Sequence, residues 1–163
     1  MINEYRLHAQ ERAEQNIPPL PLDAEQTAAL VDLLKQDSDE SEFLLGLLKE
    51  RVPAGVDQSA YVKAGFLADI TTDKAQSPYI DKVAAVKILG TMLGGYNIQP
   101  LIACLSMDGL GDEAAIALSR TLLIFDAFNE VFELSKTNPH AKKVIDSWLS
   151  LIHISEPTRL HTI

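Results

Sequence analysis

Short stripes of apolar residues, spaced three and four apart and each cut off by a proline, a glycine or a capping residue, dominate this chain. Asp23 can accept from an exposed N–H at a helix start, with Gln26 three residues on to answer it, and Thr27, Leu30, Val31 and Leu34 then fall on one face. The acidic run Asp37–Glu42 leads into a second stripe, Phe43, Leu44, Leu47 and Leu48, which stops near Pro53 and Gly55. Asp57 is placed to cap a helix carrying Ala60, Tyr61, Ala64, Leu67 and Ala68. Ser77-Pro78 reads as an N-cap followed by a first-turn proline, opening a helix with Val83, Ala84, Ile88 and Met92 that Gly94-Gly95 should end. Asn97 is expected to cap a short helix with Leu101, Ile102 and Leu105, stopping near Gly109. Further helices are expected from about Asp112 (Ala115, Leu118, Ser119, Leu122), around Phe128–Leu134, and from Asn138-Pro139. A polar helix over residues 4–15, with Tyr5, Ala9, Arg12 and Ala13, should precede them all. The prolines of Asn16–Pro21 must end it. No segment alternates as a strand does.

These expectations make the chain all-α. Short connections imply antiparallel neighbours. The starts at Asp23, Asp57, Asn97 and Asn138 lie 34, 40 and 41 residues apart, the period of helical repeats, though no identical motif recurs. An α-solenoid of stacked antiparallel helix pairs is the expected architecture, with an irregular helical bundle as the alternative.

Composition narrows the function classes. At 163 residues with 47% hydrophobic and 23% charged content, the chain is long enough for one compact domain and too apolar for disorder. The net charge of -9 sets its surface against phosphate backbones, which disfavours direct nucleic-acid binding by this piece. No apolar run is long enough to span a bilayer, and the first residues lack the pattern of a secretory signal. A cytoplasmic domain without membrane contact is the expectation.

The residues that could carry chemistry do not assemble into a site. Cys104, the one cysteine, lies between Leu101 and Leu105 and reads as an inert buried thiol. It cannot by itself hold a disulfide, a thiolate zinc site or a cluster. His8 and His140 have no second ligand at helical spacing. The run Asp37–Glu42 lacks the glycine and ligand spacing of a calcium loop. Gly90–Gly95 closes a helix where a phosphate loop would open one, and Ser119 lacks the turn of a nucleophile elbow. Catalytic, cofactor-binding and metal-ligating residues are therefore expected to number none. A helical scaffold presenting a surface is the supported reading.

Particular strings go further. Tyr61–Ala68 (Tyr-Val-Lys-Ala-Gly-Phe-Leu-Ala), Leu89–Met92, Gly94–Ile98, Pro100–Ile102 and Thr121–Leu123 with Phe125-Asp126 resemble the N-terminal region of the aconitate hydratase B family. Glu4–Arg6, Pro21–Asp23, Glu42–Leu45 and Arg51–Pro53 match it at the same relative positions, so the resemblance covers residues 4–148. It implies a HEAT-like domain, followed in that family by a swivel domain and by the domains that hold a [4Fe-4S] cluster. The family's enzymes interconvert citrate and isocitrate through cis-aconitate and hydrate 2-methyl-cis-aconitate, the cluster acting as Lewis acid and a serine as base. None of those residues has a counterpart among the positions present here, so no catalytic residue and no cofactor carries over to this fragment. The resemblance also implies contacts with the downstream domains, a share in a passage to the active site, and homodimer contacts linked to messenger RNA binding. A free-standing helical protein-interaction module is the alternative.

The end of the chain reads differently. Leu149–Arg159 resembles the in-frame translation of a transposon adapter used in sequencing libraries. The expected division is a helical domain over 1–148 and a non-native tail over 149–163, the tail including His153 and His161.

Overall fold

The structure is a computed structural model that describes residues 1–121 and 127–154, with side chains to residue 151. Nine helices make up the regular structure of the described residues, and no strand occurs among them. They are α1 (Ile2–Glu14), α2 (Ala24–Leu34), α3 (Ser41–Glu50), α4 (Gln58–Thr71), α5 (Lys82–Leu89), α6 (Ile98–Cys104), α7 (Gly111–Ser119), α8 (Phe128–Ser135) and α9 (Pro139–Ile154). The all-α expectation holds.

Packing follows chain order. α2 lies against α3 and α4, α4 against α5, α5 against α7, and α9 against both α7 and α8, so the main neighbours are one or two elements apart. One hydrophobic core runs through the described helices, from Tyr5 of α1 to Trp148 of α9. The stripe read for α2 is buried as expected, at Thr27, Leu30, Val31 and Leu34. In α3, Leu44, Leu47 and Leu48 are buried and Phe43 is half-buried beneath the Arg6 guanidinium.

Helix starts divide into those made by side chains and those made by tertiary context. Asp23 forms the full capping box: its Oδ1 accepts from the Gln26 N–H at 2.8 Å, and Gln26 Oε1 accepts from the Asp23 N–H at 3.1 Å. Asn138 caps α9, accepting from the His140 and Ala141 N–H groups at 2.8 and 3.0 Å. Asp57 stands at the start of α4, and its side chain makes no cap bond.

Three further expectations need correction. α5 does not open at Ser77-Pro78. It starts four residues later, where Asp81 Oδ1 accepts from the Ala84 N–H at 2.7 Å, a cap that the acidic side chain makes well. Ser77 is drawn elsewhere, its hydroxyl donating to the Leu34 carbonyl at 2.6 Å. α5 also ends before Gly94-Gly95: Gly90 is its C-cap, and Met92 lies beyond the helix yet is buried. Finally, Asn97 precedes α6 but does not cap it. Its Nδ2 donates backwards to the carbonyls of Leu89 at 2.9 Å and Met92 at 3.1 Å, satisfying groups that the end of α5 leaves open.

The same device recurs. Asn138 Nδ2 donates to the Leu105 carbonyl just past α6, at 2.9 Å, and Trp148 Nε1 donates to the Leu118 carbonyl near the end of α7, at 2.9 Å. With Ser77 on Leu34, the ends of α2, α5, α6 and α7 are each closed by a side chain from further along the chain. A buried carbonyl left open costs about 1–3 kcal/mol, so these bonds tie each helix end to a later element.

Helix α9 runs without a break across the expected 148/149 boundary as far as Ile154. Leu122 and the string Phe125-Asp126 lie outside the described residues, as does the tail from residue 155, including His161.

Candidate interaction surface

The residues singled out for chemistry are dispersed, and most are engaged by neighbours that leave them no shared site. Cys104 is fully buried, and burial pushes its thiol pKa up, against a smaller opposing effect of the Thr71 hydroxyl. A thiol held protonated in this way is a poor nucleophile and a poor ligand. His8 Nε2 accepts from the Leu20 N–H at 3.1 Å, pinning the proline-rich segment to α1. His140 is half-buried, with Nδ1 3.2 Å from Asp112 Oδ1 and its ring pressed on Gly111, where an added Cβ would lie 2.5 Å from the imidazole. Asp112 is claimed mainly by Lys143 at 2.6 Å, which holds its carboxyl below the usual range.

Two acids of the acidic run, Asp37 and Glu40, are likewise occupied. Tyr79 Oη lies 2.9 Å from Asp37 Oδ1 and accepts from the Ser38 N–H, while Glu40 pairs with Arg6 at 2.9 Å. Ser119 is the last residue of α7 with no activating partner among the described residues. No group of three or more His, Cys, Asp or Glu side chains among the described residues is placed to hold a metal ion.

Two features escaped the sequence reading. Lys63, inside the string that carries the family resemblance, is 1% exposed on α4, and burial lowers its ammonium pKa to about 8. A lysine one position from the expected apolar stripe carries no sequence signal of burial. The second is a pair of loops. Leu93 and Gly94 both donate their N–H groups to the Ala54 carbonyl, at 2.8 and 3.1 Å. The backbones meet so closely that a Cβ on Gly94 would sit 1.9 Å from the Gly55 oxygen, and only glycine allows that approach. Gly95, with φ of +91°, supplies the left-handed turn that follows.

Tyr96 completes the joint. Its hydroxyl donates to the Val56 carbonyl at 3.1 Å, and its ring meets Tyr61 of α4 edge-on, centroids 5.4 Å apart. Tyr61 was expected in the apolar stripe of α4; it is instead 56% exposed, because α4 turns its Ala60, Ala64 and Leu67 face inward and Tyr61 lies beside the loops. Val56 and Leu93 are 74% and 75% exposed, the highest of the large apolar side chains in the described residues. Alongside runs an open groove of about 400 Å³, lined by Tyr61, Gly65, Phe66, Tyr96 and Pro100, with Lys35 and Asp69 bringing opposite charges to it.

A rigid apolar surface without convergent ionisable groups is suited to contact more than to catalysis. The chain matches the family described as the aconitate B N-terminal domain over residues 4–151. It is 53% identical over 151 residues to the aconitate hydratase B of Synechocystis sp., and 55% identical over 150 residues to that of Escherichia coli. The Helicobacter pylori protein of the same name is 44% identical over 149 residues. In the first two, 91% of this chain is aligned, and it spans only 17% of the relatives' length. The match takes in the Gly94-Gly95-Tyr96 joint and the Lys63 helix alike: the chain belongs to the aconitate hydratase B family, in the part that forms the family's N-terminal domain.

Proposed function

We propose that this chain is the scaffold and contact domain of an aconitate hydratase, a hydro-lyase of the tricarboxylic acid cycle that interconverts citrate and isocitrate through cis-aconitate in the cytoplasm and also serves 2-methylisocitrate. The observation that carries the reading is the family match through residues 4–151 to relatives named aconitate hydratase B. The chemistry belongs, on this reading, to the remainder of the polypeptide. A [4Fe-4S] cluster is held by several thiolates, and this chain offers one cysteine, buried and held as the thiol. The residues present do not fit the cluster, and no step of the reaction is routed through them.

What the domain supplies is position. A body of helices whose ends are tied to later helices behaves as one rigid block, and a rigid block can fix the wall of a passage or the seat of a partner. The test is a hybrid: residues 1–148 of this chain replacing the corresponding stretch of the Escherichia coli relative, assayed for cis-aconitate formation from citrate. Turnover by the iron-loaded hybrid supports the reading. A hybrid that folds and binds its cluster yet has no turnover overturns it, and so does turnover by the 163-residue chain alone.

A further inference from the structure

We infer that the fused loops at residues 53–57 and 91–97 are the seat on which the downstream part of the same polypeptide rests, with Val56, Leu93, Tyr61 and Tyr96 as its apolar contacts. This rests on the reading of the chain as one portion of a longer hydratase.

Loops that face water need it to satisfy their backbone groups. Here the two loops satisfy each other: Ala54 accepts from Leu93 and Gly94, and Val56 accepts from Tyr96. With these bonds closed internally, Asp57 and Thr91 are the polar side chains left exposed on the loops, and the rest of the outward face is apolar, the two most exposed large aliphatic side chains beside a tyrosine pair. Such a surface suits a dry contact. It is also stiff, because the Gly94–Gly55 approach leaves no slack between the loops, so little freedom remains to be lost on docking. Of the other exposed aliphatics, Leu7, Ile17 and Leu20 sit on or beside the polar α1, and Val83, Ile116, Leu149 and Leu151 lie along α5, α7 and α9, none of them at a joint of two loops.

The occupant follows from length. The matched relatives extend far beyond the stretch aligned with this chain, which is only 17% of their length, and a covalently linked bulk of that size is presented to this domain at high effective concentration. Lys35 and Asp69 at the adjoining groove offer one charge of each sign to the rim of that contact.

Hydroxyl-radical footprinting tests this on two molecules, the 163-residue chain and the hybrid described above. In the isolated chain Tyr61 and Leu93 should label readily. In the hybrid both should lose most of that labelling while Leu7 and Leu20 keep theirs. Equal labelling of Leu93 and Tyr61 in the two molecules overturns the inference. Protection that arises in the isolated chain on raising its concentration, with a dimer seen by sedimentation, also overturns it by making a second copy the occupant. A Leu93→Asp hybrid, altered at an exposed side chain, should regain labelling at Tyr61, and persistent protection there counts against the seat. Footprinting reads contact and the citrate assay reads chemistry: a protected but inactive hybrid fails the functional reading alone, and an active but unprotected one fails the seat alone.

Discussion

Helices α1 and α4 are of nearly equal length, 13 and 14 residues, and are held in opposite ways. α4 buries eight side chains, among them Ala60, Phe66, Leu67 and Ile70, between α2 and α5. α1 buries one, Tyr5. Beyond the partly buried Ile2 and Ala9, its attachment is made by polar tethers: Arg6 to Glu40 at 2.9 Å and over the Phe43 ring, His8 to the Leu20 N–H, and Arg12 Nε donating to the Pro18 carbonyl at 2.6 Å. Burial scales with area and does not depend on the aim of any one atom. Tethers are exposed to water and salt, and each contributes little. The difference separates the helix that defines the domain from one that leans on it.

The sharpest attempt to break the comparison truncates matched leucines. Leu67→Ala in α4 should cost about 2–5 kcal/mol in denaturant unfolding, whereas Leu7→Ala in α1 should stay within about 0.5 kcal/mol. Similar losses at both sites would show that α1 is part of the cooperative core.

Lys63 sharpens it next. Its ammonium falls from an ordinary value of 10.5 to about 8 in the fold, so below pH 8 both folded and unfolded states carry the proton and the burial cost is present in full. Between pH 8 and 10.5 the folded state releases the proton first. Stability should then rise with pH by an amount on the order of 3 kcal/mol. A Lys63→Met variant, followed by urea unfolding across that window, should lack the rise attributable to this group; an unchanged slope would show that Lys63 titrates as it does in water.

A smaller effect is expected at the start of α2, the helix on which α4 packs. Asp23→Ala removes half of the capping box and should cost about 1 kcal/mol. Smallest of all, Arg6→Ala should leave global unfolding within about 0.5 kcal/mol while speeding amide exchange along α1 and not along α4. Equal acceleration in both helices would mean that the tether reaches the core.

The same contrast explains what could be read from the residues alone. Where one face is buried and a short side chain caps the start, as in α2, pattern and structure agree residue by residue. α4 was legible in its small and branched residues and misread at Tyr61, because a ring beside two loops is placed by tertiary contact and not by period. Ser77 and Asn97 carry the chemistry of helix starts, yet both spend it on the ends of other helices, a choice made by long-range geometry. The loop joint had a visible part, the Gly94-Gly95 pair. Its meaning depended on the arrival of Gly55 from nearly forty positions away, and local reading gave helix termination instead. Family resemblance was legible because it rides on whole strings.

Asn97 leaves one more consequence. A single amide reaches back to two carbonyls at the end of α5 while its own backbone starts α6, so it sets the corner between those helices as a mitre sets a frame. Everything after that corner inherits its angle. The packing of α6 on α4 and of α7 on α5 then holds the later helices at that angle.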